Sequence, residues 1–203
     1  MKTILNILLA LFLPLSLPAL AAEKSREQSP EAMVTQITVD VLDAIKKDKD
    51  LQSGDKKKAL ALAEEKVLPH LDFEEMTKLA AARNWNTATP AQREKLVTAF
   101  RAMLVRTYAN SIDVYRGQTM TVVGAKVPPG AIEATVRNSY ASPGRRATPV
   151  DYLMRKKDGE WKVYDIVVDG ISLVLTYRSQ FDSAVRNSGI DGLIKQLQGK
   201  MES

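Results

Sequence analysis

The run GQTMTVVGAKVPPGAIEATVRNSYASPG, residues 117–144, decides the architecture. Upstream of Gly117 apolar residues recur at helical spacing; from Thr119 onward they recur at about every second position, and β-branched and aromatic residues become frequent. That change of period marks a passage from helices to sheet. Between Ala131 and Ala141, Ile132, Ala134, Val136 and Tyr140 share one parity while Glu133, Thr135, Arg137 and Ser139 share the other, which predicts a strand with one dry and one wet face. Pro128-Pro129-Gly130 and Ser142-Pro143-Gly144 are short turns that join antiparallel neighbours. The pattern continues through Asp158-Gly159 and predicts four strands near Thr119 to Val127, Ala131 to Ala141, Thr148 to Lys156 and Glu160 to Asp169, arranged as an antiparallel meander. In the fourth strand Trp161, Val163 and Val167 have one parity and Tyr164, Ile166 and Val168 the other, so alternation alone does not assign its buried face.

Working back from the sheet, Leu96, Phe100, Leu104, Tyr108, Ile112 and Tyr115 form one long helical stripe ended by Gly117. Thr89-Pro90-Ala91-Gln92 opens it, with Gln92 placed to reach back to the cap. Asp72-Phe73-Glu74-Glu75 opens a shorter helix carrying Met76, Leu79 and Ala80. Before it, Leu60, Ala63 and Val67 face inward on a helix stopped at Pro69. Ser29-Pro30-Glu31 starts the first helix, which buries Met33, Ile37, Val41 and Ile45, and a charged turn from Lys46 to Lys58 follows it. Beyond Gly170, Val174, Tyr177, Phe181 and Val185 mark another helix, with Asp169 placed as its cap, and Ile190, Leu193, Ile194 and Leu197 a last one. Helices, then a meander, then helices give an α+β class and a single domain over residues 30–203.

The 203 residues contain one histidine and no cysteine. This excludes structural disulfides, thiol nucleophiles, iron–sulfur clusters and Cys-ligated zinc. Met1 to Ala21 has a basic start at Lys2, an apolar run from Ile4 to Leu13 and the small-residue ending Ala19-Leu20-Ala21, the tripartite form of a cleaved secretory signal. The run is broken by Pro14 and Pro18 and is shorter than the roughly 20 residues that span a bilayer, so an anchor is the weaker reading. Residues 22–29 form a polar leader, and the mature chain is expected in the periplasm of a two-membrane bacterium. Loss of the signal removes one lysine from a net charge of +5. The remaining excess is too small to argue nucleic-acid binding and favours an acidic partner or an anionic lipid surface.

Catalytic signatures are scarce. There is no Gly-rich nucleotide loop, no Gly-x-Ser-x-Gly elbow and no metal-ligand spacing, and His70, between two helical patterns, reads as structural. Asp151, Asp165 and Asp169 lie near the sheet, where a carboxylate in an apolar pocket would have a raised pKa and act as a base; edge and capping roles are the alternative. Arg145-Arg146 and Arg155-Lys156-Lys157 are short basic runs, read as solvated loop ends or as contacts for an anionic headgroup or acidic protein. A curved sheet leaves a gap against its helix, and periodicity does not decide whether side chains or a ligand fill it.

Several segments in order resemble the MlaC family, the toluene-tolerance Ttg2D-like proteins. They are Asn84-Trp85-Asn86-Thr87-Ala88-Thr89-Pro90-Ala91-Gln92-Arg93, Thr107-Tyr108-Ala109, Tyr115-Arg116-Gly117-Gln118-Thr119, Trp161 through Ser172, Tyr177-Arg178-Ser179-Gln180-Phe181 and Gly189-Ile190-Asp191-Gly192-Leu193. The resemblance implies an NTF2-like cone of antiparallel sheet wrapped by helices. It also implies a periplasmic phospholipid-binding auxiliary protein of a lipid ABC transport system. Such a protein would shuttle glycerophospholipid between an outer-membrane complex (MlaA-like, with a porin) and an inner-membrane transporter with a MlaD-like component, maintaining outer-membrane lipid asymmetry. Phospholipid is then cargo rather than cofactor, and neither metal nor catalytic residue is expected.

At about 0.8 kcal/mol per methylene, two acyl chains of roughly 30 methylenes represent on the order of 25 kcal/mol of transfer from water. Such chains need an apolar pocket, roughly 1,000 Å³ at the upper end of the usual range. By parity and resemblance the expected lining is Phe73 and Met76 from the short helix, Trp85 after it, and Phe100, Leu104, Tyr108 and Ile112 from the long helix. The sheet would add Val122, Val136, Tyr140, Tyr152, Met154, Val163 and Ile166, and the following segment Val174 and Tyr177. Two other readings stay open: an isomerase or dehydratase using Asp151 or Asp165, and an adaptor with a filled interior.

Overall fold

The computed structural model describes residues 28–109 and 117–199. The signal at residues 1–21, residues 22–27 of the leader, Ile112 and Tyr115 lie outside them. Helix α1 (Pro30–Lys47) is capped by Ser29, whose Oγ accepts from Ala32 N at 3.1 Å. The charged segment after it holds a one-turn helix, α2 (Lys49–Gln52), because Asp48 caps it and Lys58 pairs with Asp48 and Asp50 at 2.8 and 2.7 Å. α3 (Lys56–Lys66) gives way to a 3₁₀ turn over Leu68–His70, where Pro69 offers no amide to continue the ladder. α4 (Phe73–Ala81), α5 (Arg83–Thr87) and α6 (Pro90–Ala109) follow. The expected reciprocal cap opens α6: Thr89 Oγ1 accepts from Gln92 N at 3.2 Å and Gln92 Oε1 from Thr89 N at 3.0 Å.

Strands β1 (Thr119–Lys126), β2 (Glu133–Ala141), β3 (Thr148–Lys157) and β4 (Glu160–Val168) form the meander, and a two-residue β5 (Ile171–Ser172) extends it to five strands in sequential order. The fifth strand exists because Asp169 and Gly170, both at positive φ, make a tight hairpin where the sequence suggested a helix cap. β3 and β4 carry a bulge: Leu153 pairs with Asp165 and Met154 with Val163, leaving Tyr164 unopposed. One extra residue reverses the parity of everything after it. That explains the mixed alternation of β4, since Val163 and Ile166, an odd number of positions apart, look into the same space. The C-terminal helix α7 (Arg178–Gly199) is broken at Gly189, whose φ of 68° and ψ of −177° separate the two predicted helices.

Two apolar cores result. Met76, Ala80, Trp85, Leu96, Phe100, Leu104, Phe181, Leu193 and Ile194 belong to a helical core between α4, α5, α6 and α7. Met33, Val34, Ala134, Val136, Met154, Trp161 and Val163 form a second core between α1 and the sheet. Leu71 packs against both, pinned by a parallel bridge to Val163 and by Asp72 N donating to Val163 O at 2.8 Å.

Candidate functional site

Around Leu71 the packing opens. A cavity of about 380 Å³ is walled by Leu60 and Ala63 of α3, Val67, Leu68 and Leu71 of the connecting turn, and Phe73 and Met76 of α4. Leu104, Val105 and Tyr108 of α6 close it with Ile166, Val168 and Leu173. A smaller one of about 220 Å³ lies under α1, between Met33, Val34, Ile37, Thr38, Val41 and Leu42 and the sheet residues Met120, Tyr152, Val163 and Ile166, with Val67, His70 and Leu71 at its side. The two share the partition Val67, Leu71 and Ile166. Each is therefore smaller than the single pocket expected, since three aliphatic side chains divide the space. Of the residues lining the larger cavity, Tyr108 and Val168 are the most exposed, at 46% and 40%.

Polar groups around these cavities are few. Burial pushes the Tyr152 phenol up. Tyr177, beside the larger cavity's α6 wall, is pushed up to about 12 by burial and then by its hydrogen bond with Tyr108. His70 is held below the usual histidine value by burial and by the nearby Lys162 ammonium, with Glu160 opposing. Neutral side chains thus face the apolar space near neutral pH, the surface that hydrocarbon requires.

Of the predicted lining, Phe73, Met76, Leu104 and Tyr108 border the larger cavity, Tyr152 and Val163 the smaller, and Ile166 both. Phe100, Val174 and Tyr177 are in or against the helical core, with Phe100 ring centroids 5.2 and 5.0 Å from Tyr177 and Phe181. Val136 and Met154 are buried in the sheet core, and Val122 packs on it. Trp85 is covered by Arg93, 5.2 Å from its ring, and Tyr140 is at the exposed end of β2. Missing from the prediction is the whole contribution of α1 and α3. Its signal was the stripes Met33, Ile37, Val41 and Leu60, Ala63, Val67, read only as core; several of these side chains are half-buried because open space lies beneath them.

Neither Asp151 nor Asp165 borders either apolar cavity. Asp165 is buried, but Oδ1 accepts from Ile166 N at 2.8 Å and Val174 N at 3.1 Å while Oδ2 accepts from Ser172 Oγ. Its carboxylate is saturated as the anchor of the β4–β5 connection. The second basic run is likewise engaged: Arg155 pairs with Glu75 and Glu133, and Lys157 with Asp72 and Glu74, whereas Arg145 and Arg146 are exposed in the β2–β3 turn. Among the described residues no helix is long and apolar enough to cross a membrane.

A family model described as MlaC protein matches residues 35–199. The chain belongs to the MlaC family. Among MlaC relatives, the toluene tolerance protein ttg2D of Pseudomonas putida is 29% identical over 174 residues, covering 85% of this chain and 80% of that one. The intermembrane phospholipid transport system binding protein MlaC of Haemophilus influenzae is 25% identical over 175 residues, covering 85% and 82%. The fold is similar to that of a phospholipid-binding protein from Ralstonia solanacearum, solved in complex with a phospholipid. The TM-score is 0.75 at 33% identity, over 84% of this chain and 95% of that one.

Proposed function

We propose that this MlaC-family protein is a periplasmic phospholipid carrier that hides acyl chains in the two adjoining cavities and leaves the headgroup at the rim beside Tyr108 and Val168. The observation that carries the reading is the pair of apolar cavities meeting at Val67, Leu71 and Ile166, a hollow between the helical core and the sheet core. The phospholipid complex of the Ralstonia relative and the phospholipid-transport name of the Haemophilus one support it. Small rotamer changes of the three partition residues would merge the spaces, so that two chains from one glycerol backbone lie side by side. An unpaired phosphate is too costly to bury, which keeps headgroup selectivity weak. In this reading the signal at residues 1–21 delivers the chain to the periplasm. It takes lipid from or gives it to a MlaA-like outer-membrane complex and a MlaD-like inner-membrane component, preserving outer-membrane lipid asymmetry. The carrier has no catalytic step: binding and release suffice.

The test is solvent extraction of the protein purified from the periplasm, with mass spectrometry of the extract. Near-stoichiometric glycerophospholipid is expected. Protein that carries none, and takes none up from vesicles, overturns the proposal.

A further inference from the structure

We infer that Arg155 and Lys157 are positioning residues for lipid retention, their ion pairs with the first turn of α4 holding Phe73 in the wall of the larger cavity. This rests on the reading of that cavity as an acyl-chain site. α4 is a wall with two sides. Phe73 and Met76 border the apolar cavity, whereas Glu74, Glu75 and Lys78 border an open polar cleft of about 700 Å³ between α4, the start of α6 and the end of β3. Across that cleft Arg155 Nη1 reaches Glu75 Oε1 at 2.9 Å, and Lys157 Nζ donates to Asp72 Oδ1 at 3.1 Å and Glu74 Oε2 at 2.9 Å.

Arg155 and Lys157 are 35% and 41% exposed and Glu74 60%, as in surface pairs that contribute little, and what sets this group apart is its two sheltered acids. The side chains of Asp72 and Glu75 are only 10% and 14% exposed, and Asp72 is also the N-cap of α4, accepting from Glu75 N at 3.1 Å. The Arg155 guanidinium is itself placed: it lies 5.2 Å from the ring of Tyr164, the bulge residue, and its Nε and Nη2 donate to Glu133 at 3.1 and 2.7 Å. The backbone bond from Asp72 to Val163 fixes the chain as far as the start of α4. Buried Met76, Thr77 and Ala80 fix its second turn. Between those two anchorages the turn bearing Phe73 is tied to the sheet by the clasp across the cleft. Phe73 is only partly buried, packs against the helical core and has the Arg101 guanidinium 5.5 Å from its ring, so a looser first turn gives the cavity wall more freedom.

Protein loaded with a diacyl phospholipid fluorescent on one acyl chain is mixed with phosphatidylcholine vesicles, whose zwitterionic surface keeps salt effects on the acceptor small. Release is followed in time. The double variant R155Q/K157Q is expected to release lipid about three- to tenfold faster. Wild-type release should accelerate only modestly between about 20 and 500 mM NaCl, because partly buried pairs are screened less than exposed ones, and the double variant should respond less still. K157R, which keeps the charge at a site held through a single ammonium, keeps the wild-type rate. R186Q, which removes the pair with Asp182 away from the cavity walls, changes neither rate nor salt response. A double variant that releases lipid at the wild-type rate with the wild-type salt response overturns the clasp and leaves the cavity reading standing. Wild-type protein that takes up no lipid overturns both. If the double variant folds poorly, the single variant K157Q decides: release at the wild-type rate overturns the clasp.

Discussion

The α6–α7 contact and the α1–α3 side are built from similar apolar residues at the same helical spacing, yet the first closes on itself while the second, with the last turns of α6, encloses open space. On the solid side Phe100, Tyr177 and Phe181 meet edge-on, and Ala80, Ala81, Ala99 and Ala184 let the helices approach closely. On the hollow side Ile37, Val41 and Leu42 of α1 and Leu60 and Ala63 of α3 are aliphatic and half-buried, facing each other across the Val67–Leu71–Ile166 partition. Amphipathic spacing says which face of a helix avoids water. Whether that face is filled depends on what stands opposite and how close.

The difference is sharpest when one residue is removed from the solid side. Phe100→Ala deletes the ring at the centre of the aromatic group and is expected to cost about 3–5 kcal/mol in chemical denaturation, the usual range for a fully buried phenylalanine. A loss below about 1 kcal/mol would show that this side is not the solid half. On the hollow side the informative change adds volume. Ala63→Phe, at the α3 wall of the larger cavity, should lower phospholipid uptake at least about tenfold, equivalent to about 1.4 kcal/mol, while the melting temperature stays within a few degrees. Unchanged uptake would remove the larger cavity from the binding site.

The smallest effect concerns His70, which stands in the wall of the smaller cavity with Lys162 and Glu160 as the charged groups acting on it. Its pKa is lowered by folding, so its contribution to stability is complete above the unfolded value of about 6.5 and is lost as pH falls through the lower folded value. Denaturation between pH 7.5 and 5 should show a small loss of stability that His70→Gln flattens. Asp48 and Asp182, whose pKa values are lowered by their basic and amide partners, give way only in more acidic solution, so the two ranges separate. A slope identical in wild type and variant would place His70 outside the cavity wall.

The fold was largely readable from the chain. Ser29, Asp72 and Thr89 cap helices as their positions suggest, Pro69 ends one, and Gly189 divides the last two. The meander followed from its turns and alternation. The fifth strand was not visible, because Asp169-Gly170 before an apolar run looks alike as a cap or a hairpin until the backbone places Ile171 opposite Val168. The site was half legible. Phe73, Met76, Leu104, Tyr108, Tyr152, Val163 and Ile166, named from parity and resemblance, border open space. Phe100, Val136, Met154 and Val174 have the same chemistry and spacing but meet side chains instead, and only three-dimensional distance separates the two groups.

Tyr164 shows how much one inserted residue can carry. By resetting the phase of β4 it lets Val163 and Ile166 serve the same interior from opposite parities, and it puts a ring under the guanidinium that reaches across to Glu75. When family members are aligned on this strand, the stretch before position 164 and the stretch after it are best anchored independently. A relative lacking the extra residue would turn the second half of its strand inside out, exchanging what it shows to water for what it shows to hydrocarbon.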